Sequence, residues 1–220
     1  MAGPLRDRFN HIELLPPRGG NSGNWVEYAI DNGLNEKVVA FISSPMGEDK
    51  LNTFPNNKDA KVFSTPRSWE KVSEILDEAE DRVSLFQMEN LVSSVVGEGV
   101  ASEFRAFIEL RESVDVDALL EDPEKVKEFC TDDNTSLDKK YSVISALAKR
   151  YGNNKDVLDD LVEIAMYLYQ NEDAEFAIML LRLAAHKNKQ HFKKNVVKSD
   201  HWNAISEGFS EYIDLSRGGL

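Results

Sequence analysis

The sequence predicts a mainly α-helical protein, and three observations carry that expectation. Apolar residues recur three and four positions apart along most of the chain, the repeat that lines one face of a helix. Only one short run, His11 to Leu15, reads as a β-strand. And 220 residues, 41% hydrophobic and 30% charged, are enough for one large or two small domains with a real core.

Taken in order, "PPRGG" after the strand breaks the chain and marks a boundary. Asn24 and Glu27 have capping-box spacing ahead of Trp25, Val26, Ala29 and Ile30. A short helix from Glu36 to Ser43 follows Gly33. The segment "SPMGEDKLNTFPNNKDAKV" has no period and is long for a loop inside a compact domain. It leads to "FSTPRSWEKVSEIL", where Thr65 can cap a helix and Pro66 sits at its first position, where a missing N–H costs nothing. Trp69, Val72, Ile75, Leu76 and Ala79 give that helix a buried face.

Two further helices are expected in "SLFQMENLVSSVV" and "GVASEFRAFIELR", the second with a stripe of Val100, Phe104, Phe107 and Ile108. The acidic connector beyond them holds a short helix, and Pro123 opens the next turn. From Ser136, residues Leu137, Tyr141, Ile144, Leu147 and Ala148 share one face. Asp156 can cap a helix bearing Leu158, Leu161, Val162, Ala165, Leu168 and Tyr169. "AEFAIMLLRLAA" is apolar nearly all round, as a central helix would be. A last helix carries Trp202, Ile205, Phe209 and Tyr212. No internal repeat occurs.

The formal net charge of −13 argues against nucleic acid as the main partner, since phosphate neutralisation needs a basic footprint. A single cysteine, Cys130, cannot form an internal disulfide and fits a reducing cytoplasm. No apolar run approaches the ~20 residues of a membrane helix. "MAGPLRDRFN" has no apolar segment of the signal-peptide kind. A cytoplasmic protein without membrane contact is therefore expected.

Candidate chemistry is sparse. His186, His191 and His201 are near one another in sequence but lie in no metal-ligand frame, and they read as surface or structural residues. Ser22 in "GNSGN" lacks the apolar strand of a nucleophile elbow. The lysines of "HKNKQHFKKNVVK" read as a solvated loop between helices. Arginines remain. Arg67 lies in the first turn of its helix, where the dipole disfavours a cation by a few tenths of a kcal/mol. A helix N-terminus with an arginine beside it can hold an anion, although an exposed arginine there can equally be inert. Arg6 and Arg8 flank an aspartate just before the predicted strand.

"GPLRDRFNHIEL", then a long interval, then "FSTPRSWEKVSEIL" resembles the carboxy-terminal half of MoxR-type AAA+ ATPases. "VVAFI", "GEGVASEFRAFI" and "AEFAIMLLR" extend the likeness along nearly the whole chain. The resemblance implies that residues 1–16 are the tail end of an α/β core with one residual strand. Residues 17–111 would be a helical lid and 112–220 a helical carboxy-terminal extension. It makes Arg8 an arginine finger acting on a neighbouring subunit, with Arg6 as fallback, and Arg67 the sensor-2 residue that reaches the nucleotide of its own subunit. It implies ATP and Mg²⁺ as cofactors of the complete protein, a ring of identical subunits and a client protein.

The departure is large. No G-x-x-x-x-G-K-[ST] occurs, and no apolar strand ends in an Asp-Glu pair. Without those parts phosphoryl transfer lacks its main electrostatic elements, so the chain alone is expected to bind no cofactor and to be inactive. The alternative is a stand-alone helical module that binds a protein partner and no nucleotide.

Overall fold

A computed structural model describes residues 24–54, 61–79, 82–171, 173–199, 201, 202 and 206. Among these the protein is mainly α-helical, with no strand. The helices are α1 (Asn24–Asp31), α2 (Glu36–Ser43), α3 (Pro66–Ala79), α4 (Leu85–Val96), α5 (Glu98–Glu112), α6 (Val116–Leu120), α7 (Pro123–Thr131), α8 (Leu137–Asn153), α9 (Leu158–Gln170), α10 (Ala174–Lys187) and α11 (Lys189–Val196). A 3₁₀ turn, Lys155–Val157, precedes α9. The predicted strand at 11–15, and Ile205, Phe209 and Tyr212 of the predicted last helix, lie outside the described residues.

The hub is α2. Only Lys37 escapes burial in this eight-residue helix, because α1, α3, α5 and α8 all pack on it. Gly33 makes the sharp entry from α1: its φ of 70° is open to glycine, and a Cβ there would lie 2.3 Å from Nε2 of His186. Asn35 then caps α2, its side chain accepting from the Lys37 N–H at 3.0 Å. Asn35 also ties α2 to α3: its backbone N–H donates to Ser73 Oγ at 2.7 Å and its side-chain amide donates to Asp77 Oδ1 at 2.7 Å.

Where α2, α3 and α5 meet, Phe41, Trp69, Phe104 and Phe107 form an aromatic knot with ring centroids 5.2–5.6 Å apart. Such tilted and edge-on pairs add to the burial of four large rings. On the other side of α2, α8 packs against α10, and α9 and α10 form a close pair. Tyr141 and Phe176 meet edge-on at 4.8 Å across α8 and α10. One buried core runs from Trp25 on α1 to Val196 on α11 and continues past residues 111–112.

Most predicted faces are the buried ones, with four differences. Leu137, the first residue of α8, is 46% exposed. Tyr169 is 36% exposed at the end of α9. Asp156 caps nothing: Asn154 accepts from its N–H at 3.1 Å, and α9 starts after the 3₁₀ turn with no side-chain cap. The lysine-rich segment is not a loop but α11, whose Phe192 and Val196, four apart, are fully buried. No helix among the described residues is long and apolar enough to cross a membrane.

Candidate functional site

The sequence points to the mouth of α3. Thr65 caps it as expected: its Oγ1 accepts from the Ser68 N–H at 3.1 Å, and its carbonyl accepts from the Trp69 N–H at 3.1 Å. Pro66 has no N–H to satisfy. The mouth therefore keeps one free donor, the N–H of Arg67, which no described group accepts.

The mouth is held rigidly from below. Trp69 is fully buried, and its indole N–H donates to the Lys50 carbonyl at 2.9 Å. Ser64 Oγ donates to the same carbonyl, and Ser64 exchanges bonds with Thr53 at 3.1–3.2 Å. Lys50 in turn bridges to Glu103 of α5 at 3.1 Å. The long aperiodic segment is thus tied to α3 through the Lys50 carbonyl and to Ser64, just ahead of α3, through Thr53.

Arg67 stands apart from this bonding. It is exposed, and its guanidinium makes no hydrogen bond or ion pair with any described residue. A free guanidinium, a free N–H and the positive end of a fourteen-residue helix converge there. Chemically this arrangement can hold an anionic oxygen, with the fork of the guanidinium giving direction. Arg8 and Arg6, the expected finger and its fallback, lie outside the described residues.

Other chemistry finds little footing. No group of three His, Cys, Asp or Glu among the described residues could hold a metal ion. Burial pushes the Cys130 thiol up to about 12, so no thiolate forms near neutral pH. His191 Nδ1 is 3.0 Å from the Tyr151 hydroxyl, a hydrogen bond that joins α11 to α8. His186 lies over Gly33, and burial lowers its pKa below the ordinary histidine value.

Sequence reading missed one feature: a cleft between α2, α5 and α8 lined by Lys37, Arg111, Lys149 and Arg150. These positions are spread over more than half the chain, and only the adjacent Lys149 and Arg150 leave a local trace. The cleft includes neither Arg67 nor any other residue of α3.

No protein-family model, no curated protein and no solved structure matches the chain.

Proposed function

We propose that the chain is the lid and helical extension of a MoxR-like AAA+ ATPase, a cytoplasmic remodelling or chaperone-type machine. Arg67 is its sensor-2 arginine and Arg8 its finger toward the neighbouring subunit. The observation that carries this reading is the free guanidinium of Arg67 on a capped, rigidly seated helix mouth. A helix end that spends a threonine cap, a proline and a buried tryptophan on fixing one exposed cation is built to meet an anion. ATP supplies that anion when the complete protein binds it with Mg²⁺.

The chain's own part is positional. Arg67 neutralises phosphate charge and reports nucleotide state to α3. Through Ser73 and Asp77, α3 is bonded to the cap of α2, and α2 is the hub of the bundle. A change at the mouth thus has a bonded route into the core, as a rigid-body switch requires.

The test is ATP turnover. The chain alone should not exceed buffer background, and the complete ATPase should lose most of its turnover on Arg67→Ala. An Arg8→Ala assembly and one disabled at the P-loop lysine should each be nearly inactive but recover partial turnover when mixed. Undiminished turnover in both arginine variants would dispose of the proposal.

A further inference from the structure

The exposed side of α11 differs from the rest of the molecule. From 176 to 199 the chain has no aspartate or glutamate, and Lys187, Lys189, Lys193, Lys194 and Lys198 fall in the second half of that stretch. With a formal net charge of −13 for the whole chain, the remainder is more acidic still. Packing turns the basic run outward. Phe192 and Val196 are the buried residues of α11, which lies against α9 and α10. Lys189, Lys194, Val197 and Lys198 are left exposed, with Lys193 half-buried among them.

Internal pairing does not use up this charge. Of the five lysines only Lys187 reaches a carboxylate, Glu36 at 2.7 Å. Lys198 donates to the neutral side-chain carbonyl of Asn195 at 3.0 Å. Lys189, Lys193 and Lys194 make no hydrogen bond or ion pair with any described residue. Elsewhere Lys50, Lys125, Lys127 and Lys149 each meet a carboxylate at 2.6–3.8 Å. Helix electrostatics explain part of the pattern, since Lys193 and Lys194 are in the last turn, where cations complement the dipole. They do not explain Lys189, which lies in the first turn and four residues from a like charge, both unfavourable.

Shape selects among the anions that could meet these lysines. A lipid surface gains little, because the apolar side of α11 already faces the core. Nucleic acid finds neither an arginine nor an exposed Phe, Tyr or Trp on this side. Eight residues of helix are also only about 12 Å long. A duplex runs on past them, toward the acidic remainder of the chain, and is repelled there within a screening length of ~8 Å. A short acidic segment ends inside the patch. Lys189 and Lys193 are about 6 Å apart along the axis, the spacing of carboxylates four apart on another helix. Val197, 57% exposed between Lys193, Lys194 and Lys198 in sequence, adds an aliphatic contact that a phosphate backbone leaves unused.

We propose that α11 docks a short acidic helix of a partner protein, its carboxylates on Lys189, Lys193 and Lys194 and an aliphatic side chain on Val197. The inference stands independently of the ATPase reading, because it needs neither Arg67 nor nucleotide.

The experiment uses the 220-residue chain and a fluorescein-labelled peptide, Glu-Ala-Leu-Ala-Glu-Glu-Leu-Ala-Glu, followed by anisotropy. Binding should weaken with added salt and fall about tenfold or more in a Lys193→Glu/Lys194→Glu variant. A Lys71→Glu/Arg82→Glu variant, which changes the net charge equally but lies on and just beyond α3, should bind as the unmodified chain does. Lys193→Arg/Lys194→Arg should keep most of the affinity, and Val197→Ser should lose a few-fold. Circular dichroism and urea midpoints establish that each variant is folded. No binding by the unmodified chain at low salt, or equal losses in the α11 and α3 variants, would overturn the proposal. So would tighter binding of a DNA duplex, or of vesicles rich in anionic lipid, than of the acidic peptide.

Discussion

Two helix N-termini in this molecule are built alike and charged oppositely. Asn35 caps α2 and Thr65 caps α3, each accepting a backbone N–H of the first turn. At α2 the first residue is Glu36, an anion where the dipole favours one, 2% exposed and held by Lys187 at 2.7 Å and Lys149 at 3.4 Å. At α3 the charge is Arg67, a cation at the unfavourable end, exposed and bonded to nothing described. The first charge is compensated inside the chain, and its work is to join α2 to α8 and α10. The second is not compensated, so any benefit it confers must come from outside the described bundle.

The comparison can be broken at several points. The largest effect is expected from Trp69→Ala, which empties the seat beneath α3 and removes the bond to the Lys50 carbonyl. It should cost about 3–5 kcal/mol in urea unfolding. Glu36→Ala should cost about 2–3 kcal/mol, less than a fully buried pair would, because Lys187 and Lys149 can turn toward solvent. Thr65→Ala should cost about 1 kcal/mol, the usual worth of a cap. Arg67→Ala should leave the urea midpoint unchanged. A clear loss of stability there would make Arg67 a second Glu36, a charge the fold itself needs.

Acid sharpens the same contrast. Burial raises the Glu36 carboxyl pKa, but the Lys187 charge and hydrogen bond, with Lys149 behind them, outweigh it and hold the group below its ordinary value. Its contribution is therefore fully present above the unfolded carboxylate pKa and is lost as pH falls through the lower folded one. Unfolding titrations should show this acid loss in the native chain and a smaller one in Glu36→Gln. Equal acid slopes would mean that the bridge to Lys187 does not form in solution.

Much of the fold was legible because local signals agreed with packing. The bounds of α2 followed from Gly33 and the apolar run after it. The start of α3 followed from Thr65 and Pro66, and the buried face of α3 from spacing alone. The failures are local competitions. Asn154, two residues ahead, takes the capping role that suited Asp156, and lysines around Phe192 and Val196 hid the two-residue apolar stripe of α11. Leu137 and Tyr169 continue a pattern past the point where a neighbouring helix covers it. At the site, Arg67 announced itself because a proline and a threonine beside it fix the helix start. The basic cleft could not be read, since it exists only where α2, α5 and α8 converge. Arg8 stays a matter of resemblance.

On the proposed function, the mouth of α3 fixes a forked cation for an anion supplied from outside. The most direct test of this claim is steady-state ATP turnover of the complete ATPase that the proposed function implies, carrying Arg67→Lys and measured beside Arg67→Ala. Lysine keeps the charge but cannot donate the paired, planar hydrogen bonds of a guanidinium. Turnover should fall nearly as far with lysine as with alanine, while the urea midpoint of neither variant moves. Wild-type turnover in the lysine variant would contradict the claim and leave Arg67 an ordinary surface charge.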